Sequence, residues 1–307
     1  MDMDNLDRAL VQQLQADGRA SYSDLAKSVG SNRTVVASHV NELLNSGKVR
    51  VIAAVHPRVL GLEVLAHLAV QISGSSEEAL RGIDALDSAV YISETTGSYQ
   101  IVVEVRMGTM GELYETVAFI SALPAVTAVN VLLYERVIRS LFLGEEPALD
   151  RLTLDQADID ILKILQRDGR TGFAEIGEAV GVSMSTCRTR VLRLIDANVM
   201  QIGAIWRRNG TSGAIVFGCG ISLVGNASAE VVQLLAAIEG VEFIARTIGR
   251  YSLVATIAAD SQRDYNQIVG DLRALTGVRH IETWIHAKIV QERYENTLDQ
   301  LSSLIGR

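Results

Sequence analysis

The sequence predicts an α+β chain in which two winged helix–turn–helix domains alternate with two ferredoxin-like βαββαβ (ACT-like) domains. Three observations predict it. Residues 175–198 carry a basic helix–turn–helix pattern. The 307-residue chain superimposes on itself when shifted by 151. Each repeat also passes from helical spacing to alternating spacing, in the order of a split βαβ, β-α-β-β-α-β. So long a period marks a duplicated module and not a solenoid. The expected boundaries are 1–60 and 150–208 for the helix–turn–helix domains. They are 61–144 and 209–307 for the βαββαβ domains, the last with an added helix over 294–305.

In residues 175–198, Ile176 and Val180 stand one helical turn apart and can share a core. Gly181 permits the turn, and Ser183 is placed to N-cap the next helix. Val191, Leu194 and Ile195 then bury one face. The other face presents Ser185, Thr186, Arg188, Thr189 and Arg193, with Arg190 nearby, and no acidic residue occurs from Val182 to Ile195. Arg can pair bidentately with guanine, while Ser and Thr reach phosphates or base edges in a major groove. The expected DNA contacts are therefore Ser183, Ser185, Thr186, Arg188, Thr189, Arg190 and Arg193. The plainer reading is an amphipathic helix with a solvated basic face.

The first copy says nearly the same. A helix over 4–15 sets Leu6, Leu10, Val11 and Leu14 on one face. Asp17-Gly18-Arg19 falls on Asp168-Gly169-Arg170, and Leu25, Val29 and Gly30 fall on Ile176, Val180 and Gly181. Ser23 is expected to N-cap a short helix. The next helix, over 32–45, offers Asn32, Arg33, Thr34, Ser38 and His39 as DNA contacts. It is less basic, with Glu42 opposing Arg33, so the two copies should read different sequences, the first more weakly. Residues 49–55 read as a wing or connecting strand.

The βαββαβ texture begins at Val64, where alternate apolar residues mark a strand through Ile72. Ser75 and Glu78 resemble a capping box opening a helix to Leu86. Strands over 90–95 and 99–106 flank Thr96-Gly97-Ser98. A helix over 110–122 turns Leu113, Val117 and Ile120 inward, and a long strand over 127–141 follows Pro124. With one inserted residue, Gly97 and Tyr99 fall on Gly249 and Tyr251 in the second copy. One sheet face takes the helices and the other needs a partner. The tethered second sheet is that partner at high effective concentration, so an intrachain pseudo-dimer is expected, with room for further homo-oligomers.

Composition bounds the rest. Hydrophobic residues make up 48% of the chain, which excludes a disordered protein. No apolar run approaches the ~18 residues of a membrane helix, and the acidic start MDMDNLD is unlike a secretory signal. Two cysteines, Cys187 and Cys219, lack metal spacing and are expected as buried hydrophobes in a cytoplasmic protein. The net charge of −8 sits outside the helix–turn–helix regions, because 1–60 and 150–208 are each net +1. A locally basic helix can therefore work despite overall repulsion.

The chain resembles the leucine-responsive/asparagine-regulator (Lrp/AsnC) family of transcription factors, in tandem. The match rests on Asp158, Ile161-Leu162, Leu165-Gln166, Asp168-Gly169-Arg170, Gly181-Val182-Ser183, Ser185-Thr186, Arg190-Val191 and Arg193-Leu194. Thr96-Gly97-Ser98-Tyr99 and Gly249-Arg250-Tyr251 match the family's central turn, and Leu123-Pro124-Ala125-Val126 its helix exit. The resemblance implies a sequence-specific regulator that binds double-stranded DNA and responds to a small-molecule effector, an amino acid or related metabolite. It implies sheet-to-sheet pairing and effector sites near the turn, here Gly97, Ser98, Tyr99, Gly249, Arg250 and Tyr251. The family often carries Asp after the Gly-x-Tyr; Gln100 and Ser252 stand there in this chain.

Siroheme decarboxylases are also similar to this family and can be fused as two modules, and Arg207-Arg208 could bind carboxylates. Against that reading, residues 241–258 contain no His, the five His are scattered, and no Ser/His/Asp set, CxxC or phosphate loop is present. The expectation is a regulator that is not an enzyme, with no cofactor and no metal. A small-molecule-binding protein with vestigial helix–turn–helix units is a third reading.

Overall fold

The computed structural model describes residues 5–140, 146–147, 153–206, 214–225, 228–238, 240–293, 298 and 301. The first repeat runs α1 (Asn5–Ala16), α2 (Tyr22–Ser28), α3 (Arg33–Asn45), β1 (Val49–Val55), a 3-10 turn at Pro57–Leu60, β2 (Val64–Ile72), α4 (Glu77–Asp84), β3 (Ala89–Thr95), β4 (Ile101–Met107), α5 (Met110–Ser121) and β5 (Val126–Arg139). The second runs α6 (Gln156–Arg167), α7 (Phe173–Val180), α8 (Met184–Asp196), β6 (Met200–Trp206), β7 (Ile215–Leu223), α9 (Ser228–Ala237), β8 (Val241–Ile248), β9 (Leu253–Ala259), α10 (Gln262–Ala274) and β10 (Val278–Glu292). The added helix expected over 294–305 lies outside the described residues, apart from Leu298 and Leu301, which are buried. Arg207-Arg208 also lies outside them. Among the described residues no helix is long and apolar enough to cross a membrane.

Space groups the repeats differently from sequence. One compact unit comprises residues 1–60, 141–212 and 294–307, and the other comprises 61–140 and 213–293. The helix–turn–helix pieces thus gather in one unit and the βαββαβ pieces in the other.

Local chemistry sets the helix starts. Ser21 accepts a hydrogen bond from the Asp24 N–H, Asn32 from Val35 and Ser183 from Thr186. Asp155 and Asp158 form a reciprocal capping box. Two expectations are corrected. Ser21, not Ser23, caps α2, because the helix already begins at Tyr22. Ser75 and Glu78 make no capping box: Ser76 is the N-cap of α4, and its hydroxyl donates instead to Glu94.

In the helix–turn–helix unit, β1 and β6 pair antiparallel, with Val49 opposite Trp206 and Val55 opposite Met200. The connecting strand of each copy therefore finds its partner in the other copy. Beside this ribbon, the Gly18 N–H donates to the Ile202 carbonyl at 2.9 Å and the Gly169 N–H to the Val51 carbonyl at 2.8 Å. A Cβ at Gly18 would stand 2.7 Å from Val51, and one at Gly169 would stand 2.7 Å from Ile202. Glycine is needed at both sites so that each turn can lie against the other copy's strand.

In the βαββαβ unit, eight strands close a barrel in the order β10-β3-β4-β2-β5-β8-β9-β7. The two long strands close it. β5 pairs with β2 as far as Leu133 and with β8 from there on; β10 pairs with β7 as far as Ile285 and with β3 from His286 on. The sequence leads one to expect two sheets meeting face to face, whereas here they also join edge to edge, leaving no unpaired edge strand. Ala66, Leu68, Val70, Ile92 and Ile101 pack with Ala79, Ile83, Leu113 and Ile120 in one core. Phe217, Cys219, Ile221, Leu253 and Ala255 pack with Val231, Leu235, Ile268 and Leu272 in the other. Strand alternation turns His67, Glu104 and Trp284 to the opposite face, inside the barrel. Glu104 accepts a 3.0 Å hydrogen bond from the Tyr134 hydroxyl, and burial pushes its carboxyl above the usual range.

Candidate nucleic-acid interface and ligand cavity

The interface begins with the capped starts of α3 and α8. Gly30 and Gly181 adopt left-handed φ values of +65° and +76°, so each turn is made where only a missing side chain makes it cheap. Val36, Val40 and Leu43 bury one face of α3, and Cys187, Val191 and Leu194 bury one face of α8. Burial also pushes the Cys187 thiol above its usual range.

The twelve candidate DNA contacts then separate by employment. Ser185, Thr186, Arg188 and Thr189 are exposed on α8, and Arg33, Thr34 and Ser38 on α3. Arg188 makes no ion pair with any described residue. Ser183 and Asn32 are exposed too, but their oxygens are used as caps. Arg190 and Arg193 both grip Asp158, a carboxylate only 1% exposed on α6, and Arg190 also reaches Asp155. The Asp158 N–H, and then Arg190, hold the Asp155 carboxyl below its usual range. In the first copy His39 Nδ1 meets Asp7 at 2.8 Å, the positions equivalent to Arg190 and Asp158.

Sequence reasoning missed a second pair of arginines. Arg19 donates to the Gly169 and Thr171 carbonyls at 2.6 and 3.0 Å, and Arg170 donates to those of Gly18 and Ala20 at 2.7 and 3.3 Å. Each guanidinium also lies over an aromatic ring of the other copy, Arg19 over Phe173 and Arg170 over Tyr22. The signal was the intact Asp-Gly-Arg in both repeats.

The effector candidates fall at a cavity in the barrel. It is small and is lined in part by His67, Tyr99, Arg250, Tyr251, Glu282 and Trp284. Ser98 lines it as well; Gly97 and Gly249 shape the turns without lining it. The turns cross between repeats: Thr96 N–H donates to the Ile285 carbonyl, and a Cβ at Gly249 would stand 2.7 Å from Leu132. Arg250 pairs with Glu282 and donates to the Tyr99 hydroxyl at 3.1 Å, and the Tyr251 hydroxyl donates to Glu282 at 2.7 Å. Burial and then Glu282 push the Tyr251 phenol well above its usual range. His67 is 3% exposed, its Nδ1 has no hydrogen-bond partner among the described residues, and burial lowers its pKa to about 4, so the ring is neutral at pH 7. Glu282, Trp284 and His67 were not among the sequence candidates, because no motif places β10 or β2 beside the central turns.

The AsnC-type helix-turn-helix domain matches residues 3–44 and 154–195, and the Lrp/AsnC ligand binding domain matches residues 218–296. An HTH-type transcriptional regulator of Pyrococcus furiosus, itself uncharacterised, is 30% identical over 115 residues, 37% of this chain and 78% of that one. The chain belongs to the Lrp/AsnC family. Within the family, the HTH-type transcriptional regulator FL11 of Pyrococcus abyssi is 27% identical over 133 residues, 43% of this chain and 88% of that protein. Among solved structures, the siroheme decarboxylase NirDL is similar over 98% of this chain and 99% of its own, at a TM-score of 0.64 and 17% identity. The same protein has been solved in co-complex with an iron-uroporphyrin III analogue.

The expectation that the chain is not an enzyme is overturned by the NirDL likeness. An enzyme shares this two-module fold along the whole chain. In NirDL this fold hosts catalysis, so the lack of a familiar catalytic motif in the sequence does not exclude an enzyme.

Proposed function

We propose that this Lrp/AsnC-family chain is a sequence-specific DNA-binding transcriptional regulator working in the cytoplasm and responding to a small-molecule effector. The observation that carries the reading is α8, buried on one face and presenting Ser185, Thr186, Arg188 and Thr189 on the other. These are groups that read base edges and phosphates. Asn32, Arg33, Thr34, Ser38 and His39 on the first copy, with Ser183, Arg190 and Arg193 on the second, complete the proposed contact set. Because α3 and α8 carry different residues at equivalent positions, the operator is an imperfect palindrome. The test is selection of bound sequences from random DNA, followed by titration at several salt concentrations. Arg188→Ala is expected to weaken binding and reduce the salt slope by about 1. Selection without any sequence preference would sink the reading.

A second reading, a siroheme decarboxylase-like activity, is favoured by the whole-chain likeness to NirDL. Incubation with siroheme decides it. A bound tetrapyrrole absorbance with loss of carboxylates supports the enzyme; unchanged siroheme beside a sequence-specific DNA shift removes it.

A further inference from the structure

We propose that Met184 is a base-reading residue that selects thymine by its C5-methyl group, at the position where the first repeat uses Arg33 to select guanine. The proposal rests on the DNA-binding reading above and deepens it, by naming the base and the group on it that is read.

The two recognition helices are set as a symmetric pair. β1 and β6 run antiparallel with Ile52 opposite Gly203, and these are equivalent positions at the repeat offset of 151. A pseudo-two-fold axis therefore passes through the ribbon between the two copies. Such an axis presents equivalent residues to equivalent base pairs of two half-sites. The half-sites should then differ where the side chains do.

One such difference stands at the first helical residue. Arg33 opens α3 and Met184 opens α8, each directly after its capping residue, Asn32 or Ser183. The N-terminal residues of a recognition helix are the ones that reach base edges. Arg33 is exposed and makes no ion pair with any described residue. Met184 is 61% exposed, the most exposed of the large apolar side chains described in this unit. It contributes nothing to the core, which α8 fills with Cys187, Val191 and Leu194.

α8 has not simply lost its cation. It carries Arg188 one helical turn further on, where α3 has Ala37. The cation is displaced along the helix, and residues 184–187 hold no charged side chain.

The chemistry of the major groove decides what each residue selects. Guanine presents two acceptors, N7 and O6, which a guanidinium meets bidentately. A methionine side chain has no N–H or O–H to offer. Against a donor or acceptor edge it would displace water and replace none of its hydrogen bonds. The C5-methyl of thymine is the apolar group that base pairs present in this groove. Contact there removes both the methyl and the Met184 side chain from water. Guanine in the α3 half-site, with thymine at the symmetric position of the α8 half-site, satisfies both residues.

The test starts from the operator that the full chain selects from random DNA. It should show guanine and thymine at one pair of dyad-related positions. Replacing that thymine by deoxyuridine removes only the methyl, and needs no variant protein. It should weaken binding about fourfold, the worth of one small apolar group taken out of water. Met184→Ala should bind the two DNAs equally. Selection with Met184→Arg should return guanine in both half-sites, and selection with Arg33→Met thymine in both. A fully palindromic operator, no thymine whose methyl affects binding, or an unaltered selected base with Met184→Arg would each overturn the proposal while leaving sequence-specific binding in place. Selection without any sequence preference would remove the regulator reading and the proposal together.

Discussion

Arg19 and Arg170 are equivalent residues of the two repeats, and each donates its guanidinium to two backbone carbonyls of the other repeat. The exchange is reciprocal, and both arginines follow a glycine that lets the same turn lie against the other copy's strand. Together with the β1–β6 ribbon, this cross-clasp ties the two helix–turn–helix copies to each other.

Arg19→Ala or Arg170→Ala is expected to lower stability by about 1–3 kcal/mol, the worth of charge-assisted hydrogen bonds that are only partly buried. Lysine should rescue poorly, since a single ammonium cannot span two carbonyls and an aromatic face as the planar fork does. Urea unfolding midpoints measure both effects.

Gly18→Ala and Gly169→Ala should each destabilise by about 1–3 kcal/mol, because the new methyl meets backbone as well as a side chain. Gly30→Ala is a useful contrast. Nothing lies within 4 Å of its Cβ position, so only the cost of a left-handed φ remains, about 1 kcal/mol. If Gly18→Ala were as mild as Gly30→Ala in thermal unfolding, the close-approach account would fail.

Asp158→Asn should loosen α8 by releasing Arg190 and Arg193. Their side chains are 26% and 49% exposed, so water takes up the freed charge. The cost should be about 1–2 kcal/mol, well short of the roughly 3–5 expected when a fully buried partner is abandoned. Hydrogen exchange of α8 amides reads the loosening, and unchanged protection would argue against it.

His67 makes stability depend on pH. Burial depresses its folded pKa to about 4 against an ordinary 6.5, so between those values the unfolded chain binds the extra proton. Stability contributed by the neutral ring is complete above about pH 6.5 and is lost as pH falls toward 4. The full loss is on the order of 3 kcal/mol. His67→Gln should flatten this part of the profile, measured as denaturant midpoints between pH 7 and pH 4.5; an unchanged acid slope would count against it.

The sequence by itself determined the elements and their duplication. Apolar spacing placed α1, α5, α8 and the strands, because a buried face must recur at the period of its backbone. Gly30 and Gly181 marked the turns, and the central turns were found as effector candidates. What only the tertiary structure decided is which copy each element completes. β1 could pair with any free strand and chose β6; β5 and β10 each continue past their own sheet into the other. Glu282, Trp284 and His67 reached the turns the same way, from strands distant in sequence. Backbone hydrogen bonding carries no address in the side-chain pattern, so periodicity specifies which face is buried but not which of two similar partners covers it. That choice rests on close approaches, such as Gly18 on β6 and Gly169 on β1, that exist only once the chain has folded.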